Sequence, residues 1–164
     1  MIHAFLVAAL TLAQAMPTPS VRTQAVSFED GLQRLIDHAP IAFSSELGQR
    51  LGTSGDVETY ALNFTIAGLT ECRVSRGAHV ANVTCDVYTG SDGALAAQRF
   101  GDFERRLRAF AGKKGCFSVE SFAFTTENAT IASYWPSDTV DVSLEKEVSN
   151  GAYGVVFKVA RNPS

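Results

Sequence analysis

Between Glu71 and Cys116 the spacing of apolar residues changes from that of a strand to that of a helix, and all three cysteines of the chain lie inside this stretch. Glu71-Cys72-Arg73-Val74 and Ala81-Asn82-Val83-Thr84-Cys85-Asp86-Val87 alternate apolar with polar residues, as a strand with one buried face requires. Cys72 shares a face with Val74, and Cys85 shares one with Ala81, Val83 and Val87. Gly77 between the runs predicts a reverse turn and an antiparallel pair, with both thiols directed into a core. After the helix-start cluster Thr89-Gly90-Ser91-Asp92, the residues Ala96, Phe100, Phe103, Leu107 and Phe110 form one apolar stripe at helical spacing. Gly112 and Gly115 end that helix, and Cys116 begins the next strand.

Upstream, Ser27-Phe28-Glu29-Asp30 reads as a capping box with Asp in place of Glu, and Phe28, Leu32, Leu35, Ile36 and Ala39 make one helical face. Pro40 stops that helix. Phe43, Leu47 and Leu51 continue the apolar spacing for a further turn or two, and Asp56 to Ile66 reads as one strand with Tyr60, Leu62, Phe64 and Ile66 on one side. Downstream, strands are expected at 117–125, 130–135, 139–147 and 153–160. Asn150-Gly151 is the preferred pair for a type I′ turn. A two-residue loop there sets Leu144 opposite Phe157 and Val142 opposite Val159, with Asp141, Ser143 and Glu145 toward water. The pattern of helix then strands occurs twice. The architecture that buries every stripe is α+β: a single antiparallel sheet of about six to seven strands with two main helices packed on one face.

Residues 4–12 are an apolar run followed by Ala13-Gln14-Ala15, a small-x-small cleavage site, so 1–15 reads as a secretory signal peptide. The run falls short of the roughly 20 apolar residues that span a bilayer. Residues 16–26 read as a flexible lead-in, and 27–161 as a single domain. Export permits a disulfide, and three cysteines leave one over. Cys72 with Cys85 is the expected pair, since both face inward on neighbouring strands. Register decides it: a two-residue turn at Arg76-Gly77 sets Cys72 opposite Ala81 and favours Cys116 as a partner, whereas a longer loop centred on Ala78-His79 apposes the two thiols.

The spacing resembles that of small exported bacterial α+β proteins of unassigned role. It rests on Ala39-Pro40 at a helix end, Cys72 and Cys85 flanking a hairpin, Cys116 after a helix, and the alternating strands from Val140 to Val159. At Phe117-Ser118-Val119-Glu120 the chain departs from that pattern, lacking a tryptophan soon after the last cysteine. The resemblance implies a fold and a periplasmic or extracellular compartment, and no activity.

Chemical signals are sparse. A net charge of −3 argues against nucleic acid as a partner. The chain has no His-Glu-x-x-His, Gly-x-Ser-x-Gly, Cys-x-x-Cys or phosphate loop. Ser143-Leu144-Glu145-Lys146 spells Ser-x-x-Lys, but in a strand residues three apart face opposite ways. His38 and His79 are the imidazoles beyond the apolar leader; neither brings with it the spacing of a metal site, and no cofactor is expected. Cys116 follows Lys113 and Lys114, cations that favour a thiolate, and is the candidate reactive thiol. Arg99, Arg105, Arg106 and Arg108 make the second helix basic, read as a solvated face with an anionic partner as the alternative. Asn63, Asn82 and Asn128 stand in Asn-x-Ser/Thr triplets and read as ordinary polar positions of a bacterial protein. Trp135 is expected to cap the core. The reading that follows is a non-catalytic binding domain of the envelope or periplasm, engaging a protein or small ligand. The alternative is a small extracytoplasmic hydrolase or thiol enzyme using Cys116 with a histidine.

Overall fold

The computed structural model of the chain describes residues 24–112, 116–123 and 128–162; the signal peptide expected at 1–15 lies outside them. Among the described residues, two α-helices, α1 (Phe28–His38) and α2 (Gly93–Ala111), accompany ten strands. They are β1 (Gln24–Val26), β2 (Leu47–Ser54), β3 (Val57–Leu62), β4 (Phe64–Ile66), β5 (Thr70–Arg76), β6 (Ala81–Gly90), β7 (Cys116–Ala123), β8 (Asn128–Ser137), β9 (Val140–Ser149) and β10 (Ala152–Arg161). Eight form one antiparallel sheet in the order β2-β3-β5-β6-β10-β9-β8-β7, and β1 pairs in parallel with β4. The sheet is larger than expected from the sequence. Each helix leads to an outer edge of it, from which the chain meanders inward, and the two halves meet where β6 pairs with β10.

Local chemistry explains the helix starts. Ser27 Oγ accepts the Asp30 backbone N–H at 3.0 Å and donates to the Asp30 carboxylate at 2.8 Å, so the Asp variant of the capping box reaches the hydroxyl. Asp92 Oδ1 accepts the N–H groups of Ala94 and Leu95. The apolar stripes face the core as expected: Phe28, Leu32 and Leu35 from α1, Ala39 directly after it, and Ala96, Phe100, Phe103 and Leu107 from α2, are buried. Phe110 is half-buried, edge-on to Tyr134.

The Asn150-Gly151 turn is realised with positive φ at both residues and Ser149 paired to Ala152. Leu144 faces Phe157 and Val142 faces Val159, all four buried. One expectation for that strand is corrected. Ser143 does not face water but is 5% exposed, flanked in register by Ser133 and Lys158 and donating to Glu145 at 2.8 Å.

Two stretches were misread by periodicity. The further turns expected around Phe43 to Leu51 are two short 3-10 turns, Ala39–Ile41 and Ser44–Glu46, followed by strand β2, where Leu51 is exposed. The single strand expected from Asp56 to Ile66 is broken at Asn63, whose backbone N–H donates to Glu46 O and whose side chain donates to Ser45 O. Past that point the chain leaves the large sheet to pair with β1, which is formed from the last residues of the expected lead-in.

Cys72 and Cys85 form a disulfide with their Cα atoms 4.0 Å apart. Arg76 pairs with Ala81, so the longer loop centred on Ala78-His79 is the one present, and the register places the two cysteines opposite each other beside an irregularity at Glu71. Closing a loop of this length stabilises the fold by about 3 kcal/mol in the chain-entropy account. Changing both cysteines to serine is therefore expected to lower the unfolding free energy by about that amount, read as a lower urea midpoint; an unchanged midpoint would show that the bridge contributes nothing.

Candidate functional site

The clearest polar constellation lies where α1 turns toward β2. Arg34 and His38 are one turn apart on α1, and consecutive left-handed residues, Ala42 and Phe43, fold the following segment back so that Glu46 meets both. Glu46 is fully buried. Arg34 Nε donates to its Oε1 at 3.0 Å, Arg34 Nη2 stands 2.6 Å from Oε2, and Ser45 Oγ donates to Oε1 at 3.1 Å. His38 Nδ1 contacts Oε1 as well, and the Arg34 guanidinium also lies 4.2 Å over the Phe64 ring. Burial alone pushes the Glu46 carboxyl up. The hydrogen bonds from Arg34 and His38, the Arg34 charge and the Ser45 hydroxyl outweigh it and leave the carboxyl below its ordinary value.

A serine, a histidine and a carboxylate within reach of one another invite a catalytic reading, and the geometry argues against it. In a nucleophilic triad the base presents one ring nitrogen to the hydroxyl and the other to the carboxylate. Here Ser45 Oγ, 3.1 Å from His38 Nδ1, and Glu46 Oε1 converge on the same nitrogen, and Ser45 donates its proton to the carboxylate. The cluster fastens α1 to the start of β2. Sequence reasoning singled out His38 but missed Glu46 and Arg34; their signal was only the i, i+4 spacing of Arg34 and His38.

The second constellation is the sheet face opposite the buried aliphatic side chains. Its register aligns Arg73 (β5), Thr84 (β6), Lys158 (β10), Ser143 (β9) and Ser133 (β8) in one row across five strands. Asp86, Glu145 and Asp141 stand in the rows to either side. Burial raises the Asp141 carboxyl, Lys158 pulls it down and Glu145 pushes it up again; the net direction is upward. Such rows are invisible to single-strand periodicity and appear only once register is known.

Cys116 opens β7 opposite Trp135; its side chain, and Lys113 and Lys114, lie outside the described residues. His79 is exposed in the loop between β5 and β6. Ser143 and Lys146 fall on opposite faces, with the Lys146 ammonium 5.7 Å over the Phe100 ring, so the Ser-x-x-Lys pair is not assembled. On α2, Arg105 pairs with Asp102, Arg108 with Glu104 at 2.7 Å and Arg106 with Glu29 at 3.5 Å, which neutralises much of the expected basic face. Trp135 does not cap the core: it is 41% exposed, and its neighbour Tyr134 is the buried aromatic. Among the described residues no group of three His, Cys, Asp or Glu side chains is disposed to hold a metal ion, and no helix is long and apolar enough to cross a membrane.

These features define an α+β domain built on an antiparallel sheet with a disulfide in one hairpin. No family model, curated protein or solved structure matches the chain.

Proposed function

We propose that the protein is an exported, non-catalytic binding domain of the bacterial envelope, akin to the small exported α+β proteins its cysteine and helix spacing resembles, and that it engages its partner on the polar face of the sheet. The observation that carries this reading is the row of Arg73, Thr84, Lys158 and Ser133, a band of cations and hydroxyls across the middle of a large sheet in which the buried Ser143 lies between Lys158 and Ser133. A solvated sheet face needs no such concentration of donors. Both helices then cover the other face, a placement supported by Phe28 of α1 meeting Phe103 of α2 at 5.3 Å and Phe157 of β10 at 5.5 Å. The disulfide supports an oxidising compartment.

In-cell photo-crosslinking tests the reading. A photoreactive residue at Thr84 or Ser133 is expected to capture an envelope component, whereas the same residue at Arg105 on the outer side of α2 is not. Equal capture from both sides, or none from the sheet, would defeat it.

A further inference from the structure

At one end of the polar face the strand register slips, and the slip sets an indole beside a carboxylate. Tyr134 pairs with Val142 and Ser137 with Val140, so Trp135 and Pro136 together oppose the single residue Asp141. Bulges of this kind re-aim side chains and are concentrated beside functional sites. Tyr134 is buried on the helix side, where it lines a groove with Ile36 and Phe110, and strand alternation turns its exposed neighbour Trp135 toward the other face. Across β9 the row continues from Asp141 to Ala160 on β10 and Asn82 on β6. Asp141 Oδ1 is shut off from solvent and has no hydrogen-bond partner among the described residues. Asn82 Oδ1 accepts from Thr84 Oγ1 at 3.4 Å, which leaves its NH₂ group to donate elsewhere.

We propose that Trp135, Asp141 and Asn82 form a binding site for a sugar ring of a neutral glycan. The proposal rests on the reading of this sheet face as the binding face and names its ligand class. A sugar has a C–H face that lies on an exposed indole and hydroxyl groups that serve as donors and acceptors at its rim. A hydroxyl at the rim of such a ring would donate to the outer oxygen of the Asp141 carboxylate, a residue only partly buried although its Oδ1 is closed to solvent. The Asn82 amide would donate to a second oxygen of the ring. Ala160, a single methyl between the two polar residues, keeps the floor low. The charges select a neutral ligand: Lys158 offsets Asp141, and an anion would also meet Glu145 on the same strand.

The chain has one tryptophan, so indole emission reports on this site alone. The purified, disulfide-bonded protein is titrated separately with maltotriose, cellotriose and triacetylchitotriose, by fluorescence and by calorimetry. The expected result is a saturable change in emission with at least one of them, a dissociation constant in the range of about 10 μM to 1 mM, and weakening by about tenfold in Asp141→Ala and Asn82→Ala. Asp141→Leu, which keeps much of the volume and removes both acceptor oxygens, provides the same comparison should the alanine variant fail to fold. Glu147→Gln should bind as the parent does. No saturable change with any trisaccharide up to about 10 mM, or equal binding by the Asp141 variants, overturns the proposal. If Thr84 and Ser133 still capture an envelope protein in cells, only the glycan assignment falls; if they capture nothing either, the binding-face reading falls with it.

Discussion

Replacing Phe28 with alanine is expected to destabilise the fold by about 4 kcal/mol, near the upper part of the range for deleting a buried phenylalanine. Phe28 is fully buried and is the first apolar residue of α1. Its ring stands edge-on to Phe103 of α2 and to Phe157 of β10, with the Arg106 guanidinium 4.5 Å from its centroid. The substitution therefore loses the buried area, two aromatic pairs worth about 0.5–1.5 kcal/mol each, and a cation–π contact. It also opens a cavity where both helices meet the sheet. Against a total stability of about 5–15 kcal/mol this removes a large share, and the thermal midpoint should fall by more than about 10 °C. Phe28→Leu, which keeps most of the volume, should cost less than half as much. A loss below about 1 kcal/mol for Phe28→Ala, measured by urea unfolding, would mean that this ring does not join the three elements.

The second large effect belongs to the buried carboxylate. Arg34→Met keeps the apolar stem against Phe64 and strips Glu46 of its main counter-charge, leaving a carboxylate buried with only His38 and Ser45 beside it. Removing one partner of a buried pair costs about 3–5 kcal/mol, and the lower half of that range applies because about a third of the Arg34 side chain remains in solvent. The double change Arg34→Met with Glu46→Met should recover much of the loss, since a buried pair replaced by apolar side chains of similar volume leaves no charge uncompensated. A double variant no more stable than Arg34→Met alone would show that the cost lies in packing.

The same carboxylate gives a pH dependence of defined sign. The folded-state pKa of Glu46 lies below its ordinary value of 4.5, so its contribution is fully present above that pH and is lost as pH falls through the folded value. Asp141 works the other way: its folded pKa is raised, so it favours folding on the acid side and loses that contribution as pH rises through its raised value. The informative quantity is thus the difference between parent and Glu46→Gln. Their stabilities should converge as pH is lowered below 4.5, and curves that stay parallel would remove the linkage.

The parts of the fold that were legible in the sequence are those where one side chain alone carries the signal. Asn150-Gly151 demanded positive φ at two successive positions, and the register of β9 with β10 followed from the length of that turn. The stripe on α2 and the inward alternation of Cys72 and Cys85 were likewise local. β2 was missed because it is an edge strand with two register shifts and exposed side chains from Gln49 to Ser54, so it shows neither alternation nor an apolar run. Glu46 was missed because a glutamate counts as a surface residue until partners are found for it, and its partners His38 and Arg34 lie eight and twelve residues earlier on a helix. The left-handed pair Ala42-Phe43 that brings them together has no propensity signature, since neither residue type favours that conformation. The row from Arg73 to Ser133 and the bulge at Trp135 needed the pairing of strands far apart in the chain.

The central seam sets an order of events in the life of the molecule. β6 and β10 are joined residue by residue although roughly seventy positions separate them, and β10 is synthesised after every other strand. Until it arrives, the half ending in β6 and the half ending in β9 each present a raw edge and share no ladder. A chain still held on the ribosome therefore stays divided, and the whole sheet closes only when its last strand slots between two that have been waiting.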